Sequence, residues 1–97
     1  MAGYVQVLQF KADDIEAIEQ VAHRMREEFG DDFKVVHSTV SEDREKPGHF
    51  TIIAEFNSYE EAMTQSNDPR MTKSAEAMAA LVDGPITFYN LDVKYES

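Results

Sequence analysis

Three histidines, four tyrosines and no cysteine set the chemical repertoire of this chain. Histidine is the side chain whose ordinary pKa lies nearest neutrality, which suits it to moving a proton without help from a metal. His37 and His49 fall on two consecutive predicted strands and are the candidate bases. Tyr4, Gln65 and Asn90 carry O–H or N–H groups able to hold a developing oxyanion, so they are the candidate ligand-binding residues. Each also fits a plainer role. His49 follows Pro47-Gly48 and suits a solvent-exposed turn, while His37 suits an ordinary strand residue paired across a sheet. His23 stands within a turn of Glu19 and reads as its surface partner on a helix. Asn90 interrupts an apolar run, and a buried amide there needs a hydrogen-bond partner, whether across the strands, at a dimer interface or on a ligand.

Other chemistries lack their residues. Without cysteine there is no thiolate nucleophile, no disulfide framework and no Cys-based zinc site. No pair of histidines has metal-ligand spacing on one helix face, so no metal site is expected. Gly3, Gly30, Gly48 and Gly84 are dispersed and form neither a dinucleotide turn nor a phosphate loop, and no nucleophile elbow is present. The expected cofactor complement is none. A formal charge of −10, from 19 acidic and 9 basic residues, repels a phosphate backbone, and no nucleic-acid partner is expected. The acidic stretch from Glu27 to Asp32 reads as a solvated helix end and turn rather than a cation site. No apolar run has the length of a membrane span, and no basic region precedes a hydrophobic stretch at the N-terminus. A cytoplasmic location with no membrane partner is the expectation.

The elements that must position these groups follow from spacing. Ninety-seven residues make one domain, 1–97. Segments 4–10, 33–40, 49–56 and 86–95 are rich in Val, Ile and aromatic residues and predict strands. Between the first two, Asp13 and Glu16 have the spacing of a capping box. Ile15, Ile18, Ala22, Met25 and Phe29 then recur on one helical face, and Gly30 closes the helix.

The second helical region, S58-YEEAMTQSNDPRM-71, interrupts itself. Ser58 caps its first piece, with Glu61 completing the box. Proline lacks an N–H and crowds the preceding turn, so Pro69 cannot lie inside a regular helix. Both constraints vanish if Asp68 is a new N-cap and Pro69 the first residue of a second piece. That piece is expected to bury Met71, Ala75, Met78 and Val82, and the methionines read as core filler. The order is β-α-β-β-α-β, an α+β, ferredoxin-like arrangement with an antiparallel four-stranded sheet and a second helix broken at Pro69.

The strands carry one more pattern. In 49–56, Phe50, Ile52, Ala54 and Phe56 alternate with His49, Thr51, Ile53 and Glu55. In 4–10, Val5 and Val7 oppose Tyr4, Leu8 and Phe10. Neither set is cleanly polar, and helices can cover only one face. The second face therefore calls for a partner, and a second copy of the same chain is expected, packed sheet to sheet.

A chain of this order and length resembles the dimeric α+β barrel superfamily. Within it, the resemblance is to the antibiotic biosynthesis monooxygenase type of domain, with EthD-like domains nearby. There the second helix commonly carries a pattern close to H-x-x-S-P-H-F. Here those seven places read Gln65, Ser66, Asn67, Asp68, Pro69, Arg70 and Met71, so the break and its cap match while both histidines are replaced. Phe56, Ser58, Glu61 and Ala62 repeat the family's strand end and capping turn.

The resemblance implies a small homodimeric barrel protein acting as a cofactor-independent monooxygenase or as an isomerase on a hydrophobic or aromatic metabolite. Such chemistry needs a base for an acidic C–H or O–H and donors for the resulting anion while dioxygen accepts an electron. His37 or His49 would supply the first and Tyr4, Gln65 and Asn90 the second. Haem chemistry finds no histidine at the two pattern positions. The superfamily also holds domains without agreed chemistry, so a non-catalytic ligand-binding or dimerisation module is the alternative.

Overall fold

Alternating apolar residues in four segments become the strands of one antiparallel sheet: β1 (Tyr4–Lys11), β2 (Val35–Glu42), β3 (His49–Phe56) and β4 (Thr87–Asp92). Their order across the sheet is β2-β3-β1-β4. Among the described residues three helices accompany them, α1 (Ile15–Phe29), α2 (Tyr59–Ser66) and α3 (Pro69–Ala79), with a short 3₁₀ turn at Gly30–Asp32. This computed structural model describes residues 3–96; Met1, Ala2 and Ser97, the ends of the expected domain 1–97, lie outside the described residues.

Register decides which side chains share a face. Tyr4 stands opposite Phe56, Gln6 opposite Ala54, Leu8 opposite Ile52 and Phe10 opposite Phe50. On its other side β1 places Leu8 opposite Phe88, Gln6 opposite Asn90 and Tyr4 opposite Asp92. Since directly opposed residues point the same way, all of these lie on one face. That face meets the helices. Phe10, Ala12, Ile18 and Phe50 form one buried cluster with Ile15, Ile52, Met78, Val82 and Ile86 around it. Tyr4, Phe56 and Ala62 form a second, with Val35, Ala54 and Met63. Stacking of Phe10 on Phe50, with ring centres 5.9 Å apart, ties the two central strands together. Burying one such large apolar side chain is worth about 1.5–3 kcal/mol.

The second helical region breaks at Pro69. Ser58 Oγ accepts from Glu61 N at 3.2 Å and caps α2, and Asp68 Oδ1 accepts from Arg70 N at 2.8 Å and caps α3. Local spacing erred by one residue elsewhere. The cap of α1 is Asp14, whose Oδ1 accepts from Ala17 N at 3.2 Å, not Asp13. Val21 is buried and Ala22 exposed, because the face of α1 turned to the sheet runs through Ile18, Val21 and Phe29. In α3 Ser74 is half-buried and Ala75 exposed. Both slips arise where two adjacent positions fit a 3.6-residue period almost equally. The strands differ at their ends as well: β2 begins at Val35 rather than 33, and β4 runs only over Thr87–Asp92.

The opposite face is open. Across it lie Glu55, Val5 and Leu91 in one row and Ile53, Val7 and Tyr89 in the next. Ile53, Tyr89 and Leu91 are all exposed. Among the described residues no helix crosses this side, and none is long and apolar enough to cross a membrane.

Candidate functional site

The candidate residues from the sequence separate onto the two faces. His37 lies opposite Glu55 and is exposed on edge strand β2, within 3.5 Å of Thr39 Oγ1. An irregularity in register between Val35 and His37 turns the histidine onto the open face, while Val35 packs beneath Tyr4 and Phe56 on the helix side. His49 opens β3 opposite Lys11, also on the open face. Gly48, at φ 87°, makes the turn that delivers it, a backbone conformation open chiefly to glycine. His49 lies six positions along β3 from Glu55, the residue opposite His37, about 20 Å along a strand. The histidines therefore do not meet each other, nor do they meet the hydrogen-bonding candidates within one chain.

Those candidates gather on the helix face. Tyr4 Oη donates to Asn90 Oδ1 at 2.8 Å, and Gln6 Nε2 donates to the same oxygen at 3.2 Å. The Tyr4 ring is 3% exposed, held between Phe56 at 6.0 Å and the edge of Tyr59 at 5.4 Å. Burial pushes its hydroxyl pKa up, and the neighbouring Tyr59 and Asp92 add to the rise, so the phenol keeps its proton. Gly3 sets the strand entry. Its N–H donates to Phe56 O at 2.9 Å, and any Cβ there would meet the Asn57 carbonyl oxygen at 2.5 Å.

Gln65 is 4% exposed and accepts at Oε1 from Lys34 N at 2.7 Å. This bond fastens α2 to the start of β2. It also lines a recess of about 30 Å³ bounded by Gln6, Phe56, Ala62, Met63, Gln65, Ser66 and Met71. Gln6 is common to the recess and to the Tyr4–Asn90 network. It was not singled out from the sequence; its position two residues after Tyr4, on the same strand face, is the signal that marks it. Arg70, at the second histidine place of the family pattern, is occupied structurally. Its guanidinium grips the Asp68 carboxylate at 2.8 and 3.0 Å, donates to Glu28 O at 3.0 Å, and reaches Asp32 at 3.2 Å.

A broader depression of about 450 Å³ lies at the far end of the sheet. His49, Lys11, Lys46, Thr51 and Thr87 line it together with Asp43 and Asp83. Lys11 and Asp83 pair across it at 3.7 Å. No group of His, Asp and Glu suited to a metal ion occurs among the described residues.

The element order, the sheet order and the broken second helix define an α+β, ferredoxin-like fold shared with antibiotic biosynthesis monooxygenase structures. An asparagine-to-alanine variant of SnoaB, a cofactor-independent oxygenase from Streptomyces nogalater, is similar over 99% of this chain and 97% of its own, with a TM-score of 0.80 and 18% identity. A conserved protein from Methanosarcina mazei Go1 aligns with 97% of this chain and 95% of its own, at a TM-score of 0.78 and 11% identity. A candidate antibiotic biosynthesis monooxygenase from Caulobacter crescentus CB15 covers 97% of this chain and 92% of its own, at 0.75 and 12%. No protein-family model matches the sequence, and none of the curated proteins does. At these identities the likeness is one of fold.

Proposed function

We propose that the chain is a monooxygenase-like protein that takes a small hydrophobic, aromatic metabolite on the helix face of its sheet and uses dioxygen without a metal or nucleotide. The observation that carries this reading is the 2.8 Å bond from Tyr4 Oη to Asn90 Oδ1 beside the Met63- and Met71-lined recess. It sets the Asn90 amide at the edge of an apolar surface, the arrangement that orients a small ligand. The fold shared with a cofactor-independent oxygenase supports it. In the reaction class intended, an activated methylene R₂CH₂ and O₂ give R₂C=O and H₂O, with the substrate as reductant. An isomerase would use the same donors and return the proton to another carbon. The test is oxygen uptake with a panel of quinols and of aryl ketones bearing an acidic methylene, alongside lactones followed for isomerisation. Turnover that falls at least tenfold in Asn90→Ala supports the reading. Binding without turnover by the wild type would make the chain a ligand-binding module instead.

A second reading rests on the depression around His49. The open sheet face is proposed to pair with a second copy, and that copy would roof the depression and make an inter-sheet site with His49, or His37 from the far end, as base. His49→Ala and His37→Ala separate the two readings. Loss of turnover in either histidine variant, with Asn90→Ala active, places the chemistry between the sheets.

A further inference from the structure

The open face of the sheet changes character along its strands. Thr39, Ile53, Val7 and Tyr89 form one row across it, and the next row reads Ser41, Thr51, Gln9 and Thr87. Lys11 and His49 are the pair that follows. Same-face rows lie about 7 Å apart along a strand, so an apolar surface gives way to a polar one within the length of a side chain. Thr51, Gln9 and Thr87 line the depression of about 450 Å³, with Lys11, Lys46 and His49 beyond them.

Backbone hydrogen bonds set the walls of this depression. In the turn after β2, Asp43 N donates to His49 O at 2.8 Å and His49 N to Lys46 O at 3.1 Å. Gly48 N donates to Glu42 Oε2 at 2.9 Å, and Ala12 N to Gly48 O at 2.9 Å, which ties the turn to the end of β1. Across from it, Asp83 N donates to Lys11 O at 2.7 Å and fixes the loop before β4. Walls held in this way lose little freedom when a ligand arrives.

The side chains divide into committed and free. Lys11 pairs with Asp83 at 3.7 Å, and Asp43 Oδ1 accepts from Glu45 N at 2.9 Å. Lys46 has no ion pair among the described residues, where the bridging cations are Lys11 and Arg70. Side-chain hydrogen bonds of threonine and histidine there belong to Thr39, His37 and Thr64, which leaves Thr51, Thr87 and His49 free. Gln9 offers a donor and an acceptor whichever way its amide is turned. One unpaired cation flanked by Asp43 and Asp83 suits a single negative charge and opposes a dianion. A row of hydroxyls and an amide suits the hydroxyl groups of a ligand.

We propose that this end of the open face binds a small polyhydroxy monocarboxylate, its carboxylate beside Lys46 and His49 and its hydroxyls on Thr51, Gln9 and Thr87. Binding here depends on neither functional reading above and is followed without turnover.

Gluconate is the probe, followed by the amide chemical shifts of the intact, isotope-labelled chain. Sorbitol carries the hydroxyls without the charge, hexanoate the charge without the hydroxyls, and glucose 6-phosphate a second charge. The wild type is expected to bind gluconate with a Kd of about 1 mM, with shifts at Lys46, His49, Thr51 and Thr87. Each control is expected to bind about fivefold more weakly. Lys46→Gln changes an exposed turn residue and is expected to weaken gluconate about fivefold while sorbitol binds as before. Thr51→Val keeps the branched strand side chain and removes its hydroxyl; it is expected to weaken gluconate about threefold and leave hexanoate unchanged. Gluconate bound equally by the wild type and both variants overturns the assignment, as does a wild-type chain that prefers hexanoate or glucose 6-phosphate. A wild type that binds no gluconate also overturns it, and binding that appears only in Ile53→Asp identifies a second copy of the chain as the occupant instead.

Discussion

The guanidinium of Arg70 lies over the ring of Phe29 with its central carbon 4.2 Å from the ring centre. Phe29 ends α1 and is buried, and Arg70 stands in the first turn of α3. One side chain therefore joins the C-terminal end of α1 to the corner at Pro69, through the ring, the Glu28 carbonyl and the Asp32 and Asp68 carboxylates. Arg70→Lys keeps the charge but loses the planar fork and the stacking, so it is expected to lower the thermal midpoint by several degrees. Arg70→Ala should lower it further. Equal midpoints for Arg70→Lys and wild type, by circular dichroism, would show that charge alone suffices.

Asp68 gives that clasp a pH dependence. Side-chain and backbone hydrogen bonds from Arg70 hold its carboxyl down at about 2, below its ordinary value of 3.8. A folded-state pKa below the unfolded value adds stability that is present above about pH 3.8 and lost as pH falls towards 2. Asp68→Asn retains the capping oxygen and removes the charge. Urea midpoints of wild type and variant are expected to differ at neutral pH and to converge near pH 2.

Gly3 is expected to tolerate no side chain. An added Cβ meets the Asn57 carbonyl oxygen at 2.5 Å, and neither backbone can yield without disturbing the Tyr4 and Phe56 pairing. Gly3→Ala should cost about 1–3 kcal/mol in denaturant titration, the usual penalty of overpacking.

Ile18 is buried against Phe10 and Phe50, at the junction of α1 with the two central strands. Ile18→Ala is expected to remove about 2–5 kcal/mol, read from the shift of the urea midpoint at constant slope. A smaller loss would mean that α1 settles into the space left behind.

On the open face, Ile53 stands between Thr39 and Val7 at the centre of the sheet. If a second copy packs there, Ile53→Asp buries an unpaired carboxylate from each copy in the interface and should weaken association by at least about a hundredfold. Sedimentation velocity at micromolar concentration is then expected to show dimer for the wild type and monomer for the variant, with unchanged circular dichroism. A wild-type monomer would remove the proposed pairing.

Much of this architecture was legible one residue at a time. Strand composition, the Ser58 and Asp68 caps and the corner at Pro69 depend on neighbours within a turn, and the sequence carries them whole. Tyr4 and Asn90 could be named as polar groups in apolar strands, but their bond joins residues 86 positions apart. Gln6 is one polar strand residue among several in the sequence, and only register sets it opposite Asn90. The same register, with the irregularity between Val35 and His37, put the histidines on the other side of the sheet from Tyr4 and Asn90. A strand has two faces only one residue apart, so a single step in pairing decides which groups can meet. By itself the sequence determined the elements, the caps of α2 and α3 and the kinds of chemistry on offer. Only the tertiary structure decided which of those groups share a face, because strand pairing is a long-range choice that no local spacing encodes.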